Sequence, residues 1–160
     1  MALLGVYNQN LQGFLEIALD FNLPPELVRY LAELDRFIAA EIAPLEQSND
    51  NIRFFVHRRE HARTDWDAGG LPRTEWEALL AEARARADRA GHFRFALPKG
   101  MGGQAGSNLA MAVIREHLAA RGLGLHNDLQ NEHSIVGNSV GALLMWHYGS
   151  EAQKAEWLDD

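Results

Sequence analysis

Apolar residues recur along this chain at three- and four-residue intervals, the spacing of a helix face, and nowhere in clean alternation. After Pro24-Pro25, the series Leu27, Tyr30, Leu31, Leu34, Ile38 and Ile42 forms one stripe of an amphipathic helix. Its prolines suit a first helical turn, and Pro44 is its expected stop. A second helix is read from Ile52 to Trp66, with Phe55, Val56 and Arg59 on one face. Asp67-Ala-Gly-Gly-Leu-Pro72 is a connector, because Gly-Gly and Pro both punctuate regular structure. Thr74 stands three residues before Glu77, the spacing of a capping box, and opens a third helix that closes at Gly91. His92 to Leu97 is a short apolar piece leading to Pro98 and a glycine-rich loop, Gly100 to Gly106. Ser107 or Asn108 caps a fourth helix through Met111, Ile114 and Leu118, ending near Gly122. A fifth helix is expected from Glu132 to His147, and Ser150 with Gln153 opens a sixth. That last helix lacks a closing signal and ends on Asp159-Asp160, where the helix dipole disfavours acid. The pattern predicts an all-α bundle of about six helices, without strands or internal repeats.

The length of 160 residues permits one domain, large enough to bury a core without a disulfide or metal staple. With 47% hydrophobic and 23% charged residues, the chain falls in the ordinary globular range. The absence of cysteine excludes a disulfide scaffold, a cysteine zinc site and a thiol nucleophile. No apolar run approaches the ~18 residues of a membrane span. The start, MALLGVYNQN, lacks a basic signal-peptide region, so a cytoplasmic location is expected. The net charge of −7 is concentrated at the two ends: residues 1–49 carry 2 basic and 7 acidic groups, and residues 100–160 carry 3 and 7. The middle, residues 50–99, carries 10 basic against 8 acidic groups. No strongly basic segment stands out, which argues against a nucleic-acid partner.

Two motifs invite a chemical reading. His57-Arg-Arg-Glu60-His61 matches the H-x-x-E-H spacing of zinc peptidases, in which helical His57 and His61 ligate the metal and Glu60 is the base. Glu132 is a formal third ligand. Arg58 and Arg59 crowd positive charge beside that dication, and a solvated polar helix face explains the spacing equally well; no metal site is assigned. Gly100-Met-Gly102-Gly103-Gln-Ala-Gly106 looks like a phosphate-cradling loop, but Ala105 stands where the third glycine of a dinucleotide fingerprint belongs. No second strand follows, so a tight turn needing positive φ is the simpler reading. Trp66, Trp76, Trp146 and Trp157 fall within or beside helical segments, where core packing is their default role. His117, His126, His133 and His147 share no triad spacing, and neither Ser134 nor Ser139 has a nucleophile-elbow context.

Three segments, in order, resemble the N-terminal helical domain of the acyl-CoA dehydrogenases. Pro24 to Leu45 resembles that family's opening helix, including its E-x-I-x-P ending at Glu41-Ile42-Ala43-Pro44. Leu97-Pro98-Lys-Gly-Met-Gly102-Gly103, followed by the helix carrying Arg115-Glu116-His-Leu118-Ala, is similar to its P-x-x-x-G-G loop and following E-E-L-A helix. Gly137-Asn138-Ser139-Val-Gly141 and then Tyr148-Gly149-Ser150-Glu151-Ala-Gln153-Lys154 resemble its G-T-x-x-Q-K signature. Ser48 to Arg73 departs from the family by being longer and more polar than the usual linker, and Ala105 replaces a further glycine.

The resemblance implies an N-terminal extension over 1–23 and a helical domain over 24–160, unfinished in its last helix. It further implies an FAD-dependent α,β-dehydrogenation of acyl-CoA thioesters, with a carboxylate as the general base. Catalytic residues are therefore expected beyond residue 160, with the flavin-binding β-domain and the C-terminal helical domain. Carried over by position, Glu132, Val136 and Val140 are the substrate-binding candidates, one face of the fifth helix and one wall of the acyl pocket. Ordinary core packing fits the two valines as well, and the helix dipole alone favours Glu132 near a helix start. Partners implied are the acyl-CoA substrate, an electron-transfer protein and further copies of the chain. FAD itself is not expected to be held by these residues alone. The rival reading is a stand-alone helical association module that kept the fold without the chemistry. The first twenty residues, with Phe14, Leu15 and Leu19 in a mostly uncharged run, read as a docking helix of unassigned role.

Overall fold

A computed structural model of the chain describes residues 22–127, 134–137 and 139–158. The extension over residues 1–21, Glu132 and the terminal Asp159-Asp160 lie outside the described residues. Among the described residues seven α-helical segments follow in order: α1 Pro25–Phe37, α2 Ala43–Gln47, α3 Arg59–Arg63, α4 Thr74–Arg89, α5 Asn108–Ala120, α6 Val140–Tyr148 and α7 Glu151–Trp157. The fold is all-α, as the apolar spacing predicts, with one minimal antiparallel hairpin of β1 Thr64–Asp65 and β2 Leu71–Pro72. That hairpin is a correction to the strand-free expectation, and Gly69 and Gly70, both at φ +83°, form its turn.

The first stripe behaves as its period requires, with Leu27, Leu31, Leu34, Ile38 and Ile42 all in the core. Pro44 does not stop the helix. A proline in a helix interior withholds an amide and crowds the carbonyl four residues back. Here the chain widens into a π-turn over Ile38–Ile42, in which the Ala43 amide donates to the Ile38 carbonyl, and α2 then continues through Pro44 to Gln47. The largest correction concerns Ile52 to Trp66. It is a 3₁₀ turn over Ser48–Phe54 and a separate short α3, because Asn49, Asp50 and Arg58 adopt left-handed backbone conformations. The Arg53 guanidinium closes the first break by donating to the Asn49 and Asp50 carbonyls, at 3.2 and 2.9 Å. Consequently Phe55 is buried while Val56 is exposed.

Helix α4 begins without the expected Thr74 box. Arg73, extended at φ −70° and ψ 141°, is the capping residue, and Thr74 is already helical. The Arg73 amide is drawn to the Arg63 carbonyl at 2.8 Å, so the hairpin sets where α4 starts. Two expected caps do form. Ser107 accepts from the Ala110 amide, and Ser150 with Gln153 closes a complete capping box. The fifth helix is shorter than expected: it begins at Val140, and Ser134 to Gly137 are non-helical. The Gly137 amide donates to the Phe93 carbonyl at 3.1 Å, an anchor outside any helix ladder. Of the four tryptophans only Trp76 is buried, whereas Trp66 and Trp157 are exposed.

Helices α1, α4 and α5 surround the core, completed by Phe54, Phe55, Phe95, Leu125, Ile135 and Val136. Across it, Asp35 of α1 accepts from His117 Nε2 of α5 at 2.8 Å and from the Arg121 guanidinium. His92 is buried between α1 and α4, its Nδ1 3.2 Å from the Tyr30 hydroxyl and its ring 4.7 Å from that of Phe37. Burial holds its pKa below the ordinary 6.5, despite a weaker opposing pull from Glu33. Burial shifts His126 the same way. A histidine whose folded pKa is depressed favours the neutral form in the fold. Its contribution is complete above the unfolded value and is lost as pH falls through the lower folded value. The melting temperature is therefore expected to fall between pH 7 and 5, and His92→Gln to flatten that slope. A slope unchanged in the variant would remove His92 as a cause.

Candidate functional site

The glycine-rich loop is built by close approach rather than as a cradle. Gly102 sits at φ +72°, and a Cβ on Gly103 would stand 2.1 Å from the Leu97 carbonyl oxygen. The Met101 and Gly103 amides donate to Pro98, Gly102 to Lys99, Ala105 to Leu97 and Gly106 to Phe95. These amides are therefore unavailable to a phosphate, and the tight-turn reading holds. Arg94 clamps the loop to the end of α4 through a two-pronged contact with Asp88, at 2.6 and 2.9 Å. Hydrogen bonding to Asp88 also raises the Arg94 pKa.

Beside this loop lies a cleft of about 330 Å³ lined by Ala96, Gly106, Met111, Ala112, Arg115 of α5 and Leu143 of α6. Arg115 donates to the Val136 carbonyl at 3.3 Å, tying α5 to the Ser134–Gly137 segment. Burial lowers its pKa. Asn108 completes the lining, which thus holds a guanidinium and an amide but no carboxylate, histidine or hydroxyl nucleophile. Its described lining combines the methyl and thioether groups of Ala96, Ala112, Met111 and Leu143 with a guanidinium and an amide, and among the described lining residues there is no general acid or base.

The structure separates the two valines named as candidates for the wall. Val136 is fully buried in the core, and Val140, at the first position of α6, is 52% exposed. The two do not share a helix face, because Val136 and Gly137 are non-helical and α6 begins only at Val140. Arg115 and Leu143, which line the cleft, were not among the sequence candidates. The legible signal was an arginine set between Met111, Ile114 and Leu118 on an apolar helix. Outward from the cleft, Val140, Gly141, Leu144, His147 and Tyr148 form the solvent face of α6, with Leu144 56% and Tyr148 84% exposed.

His57 and His61 do not form a helical pair. His57 lies in the turn before α3, and Arg58 is left-handed, so the one-turn spacing required for zinc is lost. Among the described residues no three His, Asp or Glu side chains converge as a metal site, and no helix is long and apolar enough to cross a membrane. The described residues do not fit a flavin dinucleotide either. Its pyrophosphate calls for free amides or several cations, whereas the glycine loop's amides are used internally and the cleft offers Arg115 alone.

Among the described residues the chain forms an all-helical fold with a mixed polar and apolar cleft beside the glycine loop. The family profile described as acyl-CoA dehydrogenase, N-terminal domain, matches residues 45–160, and the chain belongs to that family. No curated protein and no solved structure matches the chain.

Proposed function

We propose that this chain serves as the N-terminal domain of an FAD-dependent oxidoreductase that dehydrogenates acyl-CoA thioesters between the α and β carbons. Its part is to supply one wall of the acyl pocket and a docking face for the rest of the catalytic unit. The family match supports the class, and the exposed apolar face of α6 is the observation that carries the division of labour. A self-contained module gains by burying such a face, since each large apolar side chain taken from water contributes about 1.5–3 kcal/mol. Val140, Leu144 and Tyr148 follow one another at four-residue steps along α6, so all three meet a partner surface together.

The wall proposed here is centred on Leu143 and Arg115, with Val140 at its rim and Val136 supporting it from the core. Glu132 retains its place by position in the family register. No catalytic residue is assigned to the chain, and the flavin belongs to the complete catalytic unit. The same logic leaves acyl-chain preference and electron acceptor to residues elsewhere.

Purified chain mixed with FAD and desalted is expected to elute without flavin absorbance, and to leave a dye acceptor oxidised when given an acyl-CoA. Tight, stoichiometric FAD binding would overturn the proposal. As a second measurement, Leu144→Lys combined with Tyr148→Lys is expected to reduce binding of a hydrophobic fluorescent dye several-fold without lowering the melting temperature. If that pair instead destabilises the fold by more than about 2 kcal/mol, the α6 face is part of a self-contained core and the stand-alone module is the better reading.

A further inference from the structure

The chain leaving α5 turns at Gly124 and is tied to α2 by one side chain: the Leu125 amide donates to a carboxylate oxygen of Glu46. The turn closes on itself, with the Asn127 amide donating to the Gly124 carbonyl at 2.9 Å, and Leu125 is buried in the core. A cleft of about 330 Å³ lies at this junction, walled by Ile38, Ile42 and Leu123, with Glu46, Arg121 and His126 as its charged and titratable groups. Glycine at 124 permits the arrangement. A Cβ there would stand 2.8 Å from both Glu46 Oε2 and His126 Nδ1, so the carboxylate and the imidazole flank the same point of backbone.

The His126 ring is served on one side only. The Leu118 and Gly122 carbonyls engage it, while Nε2 is buried without a hydrogen-bond partner among the described residues. A neutral imidazole has one N–H, which those carbonyls satisfy. An imidazolium has two, and the second N–H then lies in a buried position that offers it no acceptor. The charged groups facing the ring are Glu46 of α2 and Arg121 at the end of α5. Arg121 is itself held by Asp35 of α1, which also pairs with His117. Burial outweighs the pull of Glu46, Arg121 adds to it, and the ring's pKa is held below the ordinary 6.5.

We propose that His126 is an acid-triggered latch, closed while its ring is neutral and released from α2, together with the turn from Gly124 to Asn127, when the ring takes up its second proton. Release breaks the Leu125–Glu46 hydrogen bond and uncovers Ile38, Ile42 and Leu125, an apolar surface that the closed domain hides. The sign follows from the lowered pKa: the closed form is fully favoured above the unfolded value and loses that advantage as pH falls through the folded one. This inference does not depend on the proposed dehydrogenase role.

Native-state hydrogen exchange at the Leu125 amide reads the latch directly. Its protection, relative to the rate of an unstructured amide at the same pH, is expected to lie below that of Ile114 in the core of α5, and to fall at least about fivefold between pH 7 and 5. The fall is expected to vanish in His126→Phe. It is expected to persist in His92→Gln, His117→Asn and Glu46→Gln, the last keeping an acceptor for the Leu125 amide. Persistence in His126→Phe, or disappearance in one of the other three, would place the trigger elsewhere and overturn the proposal. A second measurement needs no variant: the His126 ring proton, followed by NMR, is expected to titrate with a midpoint below 6.5. A midpoint at or above that value sinks the latch. So does equal protection of Leu125 and Ile114 across the range, since the turn then opens only with the whole domain.

Discussion

Gly103→Ala is expected to destabilise the domain by about 3 kcal/mol or more, with the urea midpoint falling accordingly. The added methyl would lie 2.1 Å from the Leu97 carbonyl oxygen and 2.6 Å from that of Arg94. Both are backbone atoms, already fixed by the Ala105-to-Leu97 and Leu97-to-Arg94 hydrogen bonds. No rotamer change relieves the clash, so the loop must open, and Phe95 with Leu97 would lose their packing. Gly102→Ala separates conformational strain from steric exclusion. Its Cβ would meet only the Arg94 side chain at 3.6 Å, leaving the cost of the left-handed backbone, about 1–2 kcal/mol. Gly122→Ala, with open space at the Cβ position and φ +86°, is expected to match Gly102→Ala. A Gly103→Ala variant no worse than these two would disprove the close approach. The neighbouring Gly102 and Gly103 thus have different physical reasons: one bends the chain and the other lets two backbones touch.

Period and punctuation carried much of this architecture. The α1 stripe, the ends of α4 and α5 at Gly91 and Gly122, the Ser107 cap and the Ser150 box all follow from local chemistry. Where the sequence reading failed, the deciding partner was distant. Thr74 lost its capping role because the Arg73 amide pairs with Arg63 across the hairpin, a contact that no window around Thr74 contains. Pro44 failed as a stop because the π-turn absorbed its missing amide. At Asn49-Asp50-Asn51 a local signal was present, since Asn and Asp tolerate the left-handed region. An apolar period running on to Trp66 obscured it. The placement of Val136 and Val140 was harder still. Spacing alone placed Val136 and Val140 on one helix, but the Gly137 amide is held by Phe93, some forty residues earlier, and that anchor ends any helix reaching Val136.

The polar stretch from Ser48 to Arg73 hangs largely on one indole. Trp76, on the first turn of α4, packs its ring against Phe54 and Phe55 at centroid distances of 5.2 and 5.8 Å. The Arg63 guanidinium lies 4.2 Å over the same ring while its Nε donates to the Phe54 carbonyl at 2.8 Å. One side chain therefore joins the 3₁₀ turn, α3 and α4. Trp76→Ala is expected to cost about 3–5 kcal/mol, the range for emptying a large aromatic site. In a domain of this size that lowers the melting temperature by roughly 10 °C. Trp76→Phe keeps a ring between the two phenylalanines and is expected to cost about 1–2 kcal/mol. Its loss includes part of the cation–π contact, so a double-mutant cycle with Arg63→Met should show coupling of about 0.5–1 kcal/mol. Trp66→Ala, at an exposed position beside His61, is the contrasting control and should stay within about 1 kcal/mol of the parent. If Trp66 proved the costlier loss, the Ser48–Arg73 stretch would be held by its hairpin rather than by the α4 indole. A ranking of Trp76→Ala, Trp76→Phe and Trp66→Ala in falling order instead makes this stretch part of the same cooperative core as α1 and α5, since Phe54, Phe55 and Trp76 share one buried cluster with Leu34 and Ile114.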